Sequence, residues 1–204
     1  ADSITEAQEK IKKIYEELKN YGFELRKWTS SHHKVTSSLP EKLRESAEEE
    51  KFMDENYKIK TLGISWKPNK DTFNFHSNCS LYGLITKRKF LSETAKIFDP
   101  VGWLSPIVIK FKVILQKLWV LGVGWDEVLP TELQNECLEL RADLNNLKRL
   151  TLPRCIVQAE VENVQLHLFT DASELAYAAV IYMRITDTAG EIITSLVAGK
   201  TQIG

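Results

Sequence analysis

The chain has 204 residues, 43% of them hydrophobic and 27% charged, with a formal net charge of −1. That length suits one large or two small domains with enough apolar material for a core, and the balanced charge announces no nucleic-acid partner on its own. Its three cysteines, Cys79, Cys137 and Cys155, are widely spaced with no Cys-x-x-Cys, so neither a zinc site nor a disulfide framework is signalled and reduced intracellular thiols are expected.

The chain opens on Ser3-Ile-Thr-Glu6, a capping box whose Ser and Glu side chains each satisfy an orphan backbone donor. Ile11, Ile14, Tyr15 and Leu18 follow on one helix face, and Gly22 can take the left-handed conformation that ends the helix. Phe23–Trp28 alternates roughly with period two and reads as a short strand, followed by the polar loop Thr29–His33. His32 and His33 are adjacent and point apart on regular structure, with no carboxylate or cysteine at ligand spacing, so they read as loop residues. Pro40–Glu50 reads as a short solvated helix within an acidic stretch that runs to Glu55. Ile59–Trp66 and Asp71–Phe75 flank Lys67-Pro-Asn-Lys70, and two alternating runs about such a loop make a β-hairpin. Gly63 within the first run suggests a bulge or a close backbone approach.

From Thr86 the chain is both apolar and basic. Between Thr86 and Lys117 seven cations stand against only Glu93 and Asp99, and this local asymmetry matters more than the total. Thr86 can cap a helix through about Phe98, with Phe90, Leu91, Ala95 and Phe98 inward, before Asp99-Pro100 stops it. Ser105-Pro106 starts a second helix that runs to about Leu121. Lys110, Lys112, Gln116 and Lys117 make it too polar for a membrane span. A third helix occupies Pro130–Leu150, with Leu133, Cys137, Leu140, Leu144 and Leu147 on one stripe. Short turns join the three into a small bundle. After Pro153 the period falls to two. Gln165–Asp171, Ala176–Ile185 and Glu191–Ala198 read as strands, the last two joined by a turn at Thr186–Gly190. No closing element follows, and the chain reads as a piece of something longer.

Lys87, Arg88, Lys89 and Lys96 can neutralise phosphates, which releases counterions and makes affinity fall with salt. The competing reading is an ordinary solvated helix face. Lys110 and Lys112 are expected to snorkel from a packed helix. Trp66, Trp103, Trp119 and Trp125 are expected in the core rather than stacked on bases. Asp171, taken by pattern alone, is a turn-forming carboxylate at a strand end.

Several blocks together carry a resemblance: Leu62-Gly63-x-x-Trp66-x-Pro-x-x-Asp71-x-Phe73, then Lys89-x-Leu91-Ser-x-x-Ala95-x-x-Phe98-Asp-Pro-x-Gly102, then Gln116-x-x-Trp119, Trp125-Asp126 and Asp171-Ala-Ser173. In that order they resemble the Pol polyprotein of Bel/Pao-type LTR retrotransposons, and the Phe-Asp-Pro-x-Gly block is the most specific of them. The resemblance implies an α+β chain in three parts. Residues 1–80 would close the reverse transcriptase palm with a primer-grip-like hairpin carrying Leu62, Gly63 and Trp66. Residues 81–152 would be a helical thumb or connection, and residues 153–204 the first antiparallel strands of an incomplete RNase H-like domain.

It further implies an RNA–DNA template–primer duplex and the rest of Pol as partners, no membrane, and a cytoplasmic location within a virus-like particle or a nuclear one. Asp171 would be the catalytic and metal-binding carboxylate of an RNase H set that uses about four such groups around two Mg²⁺ ions. The helix carrying the next carboxylate would begin just past Gly204, and the polymerase aspartates would precede Ala1. The chain alone is therefore expected to bind a hybrid without copying or cutting it. Two alternatives stand beside this: a host-retained protein-interaction module, and the retroelement peptidase label attached to this region. Asp171-Ala-Ser lacks the Asp-Thr-Gly or Asp-Ser-Gly that an aspartic peptidase needs.

Overall fold

A computed structural model describes residues 3–45, 57–61, 64–75, 79–157 and 160–204. It is a mixed helix and sheet structure with antiparallel strands, as the α+β expectation requires. The chain divides into two compact units: residues 1–61 with 65–73, and residues 62–64 with 74–204. Among the described residues no helix is long and apolar enough to cross a membrane.

In the first unit, α1 (Ile4–Asn20) is capped as the sequence requires: the Ser3 hydroxyl accepts from the Glu6 amide at 3.1 Å. Gly22 has φ +85°, and the Gly22 and Phe23 amides close the helix on Lys19 and Leu18 carbonyls. No residue of α1 is buried. The expected strand at Phe23–Trp28 does not form: Lys27 takes φ +58°, which breaks an extended run, and Trp28 makes only an isolated bridge with Arg44. A short α2 (His33–Thr36) and a 3₁₀ turn at Glu41–Leu43 follow. The Arg44 guanidinium donates to the Ser37 carbonyl at 2.7 Å and to the Leu39 carbonyl at 2.8 Å, satisfying acceptors in the turn that follows α2. The remainder of the expected acidic helix, residues 46–50, lies outside the described residues.

The run at Ile59–Trp66 is two strands, β1 (Ile59–Thr61) and β2 (Ile64–Lys67), and β2 neighbours β3 (Thr72–Phe75) across a tight turn. Leu62 and Gly63, with the bulge expected there, lie outside the described residues. The Trp66 indole donates to Asp71 Oδ1 at 2.9 Å across the turn.

The second unit is built on three helices: α3 (Lys87–Thr94), α4 (Ser105–Val120) and α5 (Thr131–Asn146). The Thr86 hydroxyl caps α3 by accepting the Lys89 amide. α3 is shorter than expected, and of the four apolar residues assigned inward only Phe90 is buried; Leu91, Ala95 and Phe98 are exposed. Helical bonding ends in turns at Lys96 and Ile97, whose amides bond to Glu93 and Thr94 carbonyls, so residues beyond Ala95 leave the helical face. Phe90 stacks on Phe111 with ring centroids 5.3 Å apart. The α5 stripe packs as its spacing demands, with Leu133, Cys137, Leu140, Leu144 and Leu147 all buried. Burial pushes the Cys137 thiol up to about 12, so it stays protonated. The Asn74 amide donates to the hydroxyl of Thr151, the first residue of β4 (Thr151–Pro153), at 2.8 Å.

Three long strands complete the unit, β5 (Val161–Ala172), β6 (Ala176–Asp187) and β7 (Ile192–Ile203), antiparallel in the order β5-β6-β7. Each extends past its sequence-read limits. Asp187 Oδ1 accepts the Ala189 and Glu191 amides and so fixes the β6–β7 turn.

The helices and this sheet meet at the Asp-Pro-x-Gly block. Gly102 has φ +76°, and a Cβ built there would lie 1.7 Å from the Gly199 carbonyl oxygen of β7. The Gly199 amide donates to the Val101 carbonyl at 2.8 Å. Between Ile181 and Tyr182 the ladder slips by one residue, leaving Val197 outside the register, and the Trp103 indole donates to its carbonyl at 3.0 Å. Lys112 Nζ bonds to the Thr201 carbonyl at 3.0 Å. The outer edge of β7 is thus covered by the 101–103 loop and by α4.

Candidate nucleic-acid interface

Asp171 stands one residue before the end of β5. Its Oδ1 accepts the Ala172 amide at 2.9 Å. The next turn is closed by Ser173, whose amide donates to the Ala176 carbonyl at 2.8 Å and whose hydroxyl accepts from Leu175 and Ala176. Beside it is an open concavity of about 430 Å³ lined by Thr170, Asp171, Ala172, Tyr177, Ala178, Ala179 and Lys200. Register separates the two charges. Thr170, Ala179 and Lys200 form one rung of the sheet, and Asp171, Ala178 and Thr201 the next. Successive rungs face opposite sides, so Asp171 and Lys200 do not converge on one point.

A divalent ion of the RNase H type needs several oxygen ligands. Among the described residues no group of three or more His, Cys, Asp or Glu is placed to hold a metal ion. The donor set around Asp171, a single carboxylate at an exposed strand end, does not fit a two-ion site.

The four cations assigned to phosphate contact fare differently. Lys87 is only 3% exposed, which corrects its placement on an outward face. Its Nζ lies 3.4 Å from the centroid of the Trp119 ring and 5.4 Å from that of Trp125, and bonds to the Val123 carbonyl at 3.3 Å. Arg88 is exposed and grips Asp126 with two bonds, 2.7 and 2.9 Å, which lower the Asp126 carboxyl below its ordinary range. Lys89 Nζ donates to the Tyr82 carbonyl at 2.6 Å. Lys96 Nζ reaches Glu93 at 2.6 Å. Burial pushes the Glu93 carboxyl up, but Lys96 and the Ser80 amide outweigh it and hold the group below its usual value. Asp99 goes the other way. Desolvation raises it, despite bonds from the Leu104, Trp103 and Gly102 amides.

The backbone brings Arg88 and Trp125 together: the Arg88 amide donates to the Trp125 carbonyl at 3.0 Å, and Leu129 bonds to Ile85. Trp119 and Trp125 pack edge to face, ring centroids 5.5 Å apart. They are 58% and 42% exposed, which corrects their assignment to the core. Trp103 does pack on the core, edge to face with Phe75. Lys110 ends on Asp143 at 2.7 Å, so its head leaves the packed helix as expected. Neither the Lys87–tryptophan contact nor the Gly102–Gly199 approach was visible in the sequence, because the partners are distant in the chain. The one available signal for the first was the run Trp119-x₅-Trp125 beside glycines that open a loop.

A family model described as the Pao retrotransposon-like RNaseH-like domain matches residues 86–204. The chain belongs to that family. The resemblance to the Pol region of Pao-type retrotransposons is therefore borne out. The family description speaks of an RNase H-like domain, and the match takes in α3, α4 and α5 together with β5–β7. No curated protein matches the chain. An RNase H-like domain of the Pao type suggests nucleic acid as the partner.

Proposed function

We propose that this chain is the part of a Pao-type Pol polyprotein that holds an RNA–DNA template–primer duplex, without itself carrying out polymerisation or hydrolysis. The observation that supports it most is the antiparallel β5-β6-β7 sheet, with Asp171 at an open rim, inside a family match that also spans the basic helices. The helices would act as the thumb or connection, and the hairpin with Trp66 as the primer grip. Arg88, Lys89 and Lys96 are the phosphate ligands in this reading. Each is held by a group of the protein in the free chain, and a phosphate would replace that partner. Lys87 is withdrawn from the set. Asp171 would be one ligand of Mg²⁺ completed by other parts of Pol, in the particle or the nucleus where Pol acts.

The test is a salt titration of binding to a short labelled RNA–DNA hybrid. Log affinity should fall linearly with log salt, and replacing Arg88, Lys89 and Lys96 together by Ala should flatten that slope by about one for each lost contact. An unchanged slope removes the three residues from the interface. With a single carboxylate at the rim, the pure chain should show no Mg²⁺-dependent cleavage of the hybrid, and cleavage would refute the incomplete-site reading.

A further inference from the structure

The most unusual surface of the second unit is the pair Trp119 and Trp125. Two large indoles stand 58% and 42% exposed, fixed at 90° to each other. Next to Trp119, Val120 at the end of α4 and Leu121 just past it are also exposed. The buried Lys87 ammonium presses on one face of Trp119 at 3.4 Å, and the Arg88 guanidinium lies 5.7 Å from the Trp125 centroid. Cations placed this way lock the rings in position. They also draw π density toward themselves, which leaves the outer faces better suited to an electron-rich ring than a bare indole would be.

The charges nearby leave a small positive balance: Lys87, Arg88 and Lys89 stand against Asp126, which Arg88 engages, and Glu127, which accepts the Gly124 amide at 2.9 Å. An aromatic platform backed by cations is the arrangement that binds unpaired bases, because every base offers a π face whatever its identity.

We propose that Trp119 and Trp125 form a stacking platform for unpaired bases of a single-stranded segment, with Lys87 as a positioning residue that holds the Trp119 ring from behind. This rests on the nucleic-acid reading above and names what one surface of it takes. The burial of Lys87 is then part of the site: the lysine acts on the nucleic acid through a ring instead of through a phosphate. Stacking of this kind is indifferent to sequence, so homopolymers of different bases should bind with similar affinity.

The experiment uses the full chain and labelled single-stranded oligonucleotides, with a blunt RNA–DNA hybrid in parallel. Trp125→Ala leaves the Lys87–Trp119 contact and the Arg88–Asp126 pair in place. It should weaken single-strand binding roughly five- to a hundred-fold, the range for one lost base–aromatic stack, and change hybrid binding far less. Trp119→Phe keeps a ring over Lys87 and should give a smaller loss. Quenching of tryptophan fluorescence on adding single strand should shrink in both variants, and thermal melts check that both fold. Val120→Ser removes exposed apolar area without touching a ring and should leave single-strand affinity unchanged. If Val120→Ser costs as much as Trp125→Ala, the surface is a general apolar patch for a protein partner and the proposal falls. Full retention of single-strand affinity in Trp125→Ala overturns the platform while leaving hybrid binding standing. Failure of the unaltered chain to bind either nucleic acid overturns both readings.

Discussion

Lys87 and Arg88 are neighbours in sequence and opposites in energetics. Arg88 meets Asp126 with good bidentate geometry, yet both side chains are mostly exposed. Water and salt screen such a pair, so it contributes little to stability. Lys87 is buried, and its ammonium has one carbonyl and two ring systems for company. A desolvated cation–π contact is worth up to about 2 kcal/mol, and the lysine stem adds packing. Arg88→Ala is therefore expected to shift the urea midpoint little, while Lys87→Met should lower stability by roughly 0.5–2 kcal/mol with no change in m-value. Equal effects from the two would mean that the tryptophan contact contributes nothing beyond surface electrostatics.

At the level of elements, the Asp-Pro-x-Gly block shows why a glycine can matter more than the helix it precedes. Gly22 and Gly102 both have positive φ, +85° and +76°. An added Cβ at Gly22 meets open space, so Gly22→Ala should cost only the left-handed backbone penalty of about 1–2 kcal/mol. At Gly102 the same atom would collide with the Gly199 backbone oxygen at 1.7 Å, and backbone cannot swing away as a side chain can. Gly102→Ala should cost more than about 3 kcal/mol and lower hydrogen-exchange protection along β7. A loss no larger than that of Gly22→Ala would show that the sheet does not depend on this approach. The block's specificity was legible in the sequence; its cause was not, because Gly199 sits near the other end of the chain. The same division runs through the whole fold. What is local was readable: the Ser3 cap, the α5 stripe, the positions of β5–β7. What depends on distant partners was misread. Three consecutive cations looked like one basic face, but Trp119 draws the first inward and Asp126 engages the second. Phe23–Trp28 alternates like a strand, but alternation forms no strand without a neighbour to pair with. Asp171 was found at a strand end, where its spacing put it. The opposite facing of Lys200 needed the register to be seen.

On the scale of the second unit, and among the described residues, the sheet is covered on one edge and open on the other. The outer edge of β7 is engaged by Val101, Trp103 and Lys112. β5 is the opposite edge strand, 12 residues long, and exposed along its full length. Val164, Leu166 and Leu168 alternate onto one of its faces, and the last two are 67% and 63% exposed. A long apolar edge with free ladder positions is a template for pairing with another strand. At high concentration the isolated chain should therefore self-associate through β5. Leu168→Lys places a charge in the middle of that edge, where a paired strand would have to bury it. The side chain is already mostly in water, so folding stability should move by no more than about 0.5 kcal/mol. Light scattering across a concentration series should show mass rising for the unaltered chain and staying monomeric for Leu168→Lys, with unchanged melting temperature. Association that persists in the variant would place the contact elsewhere, and the exposed tryptophan pair would be the next surface to substitute.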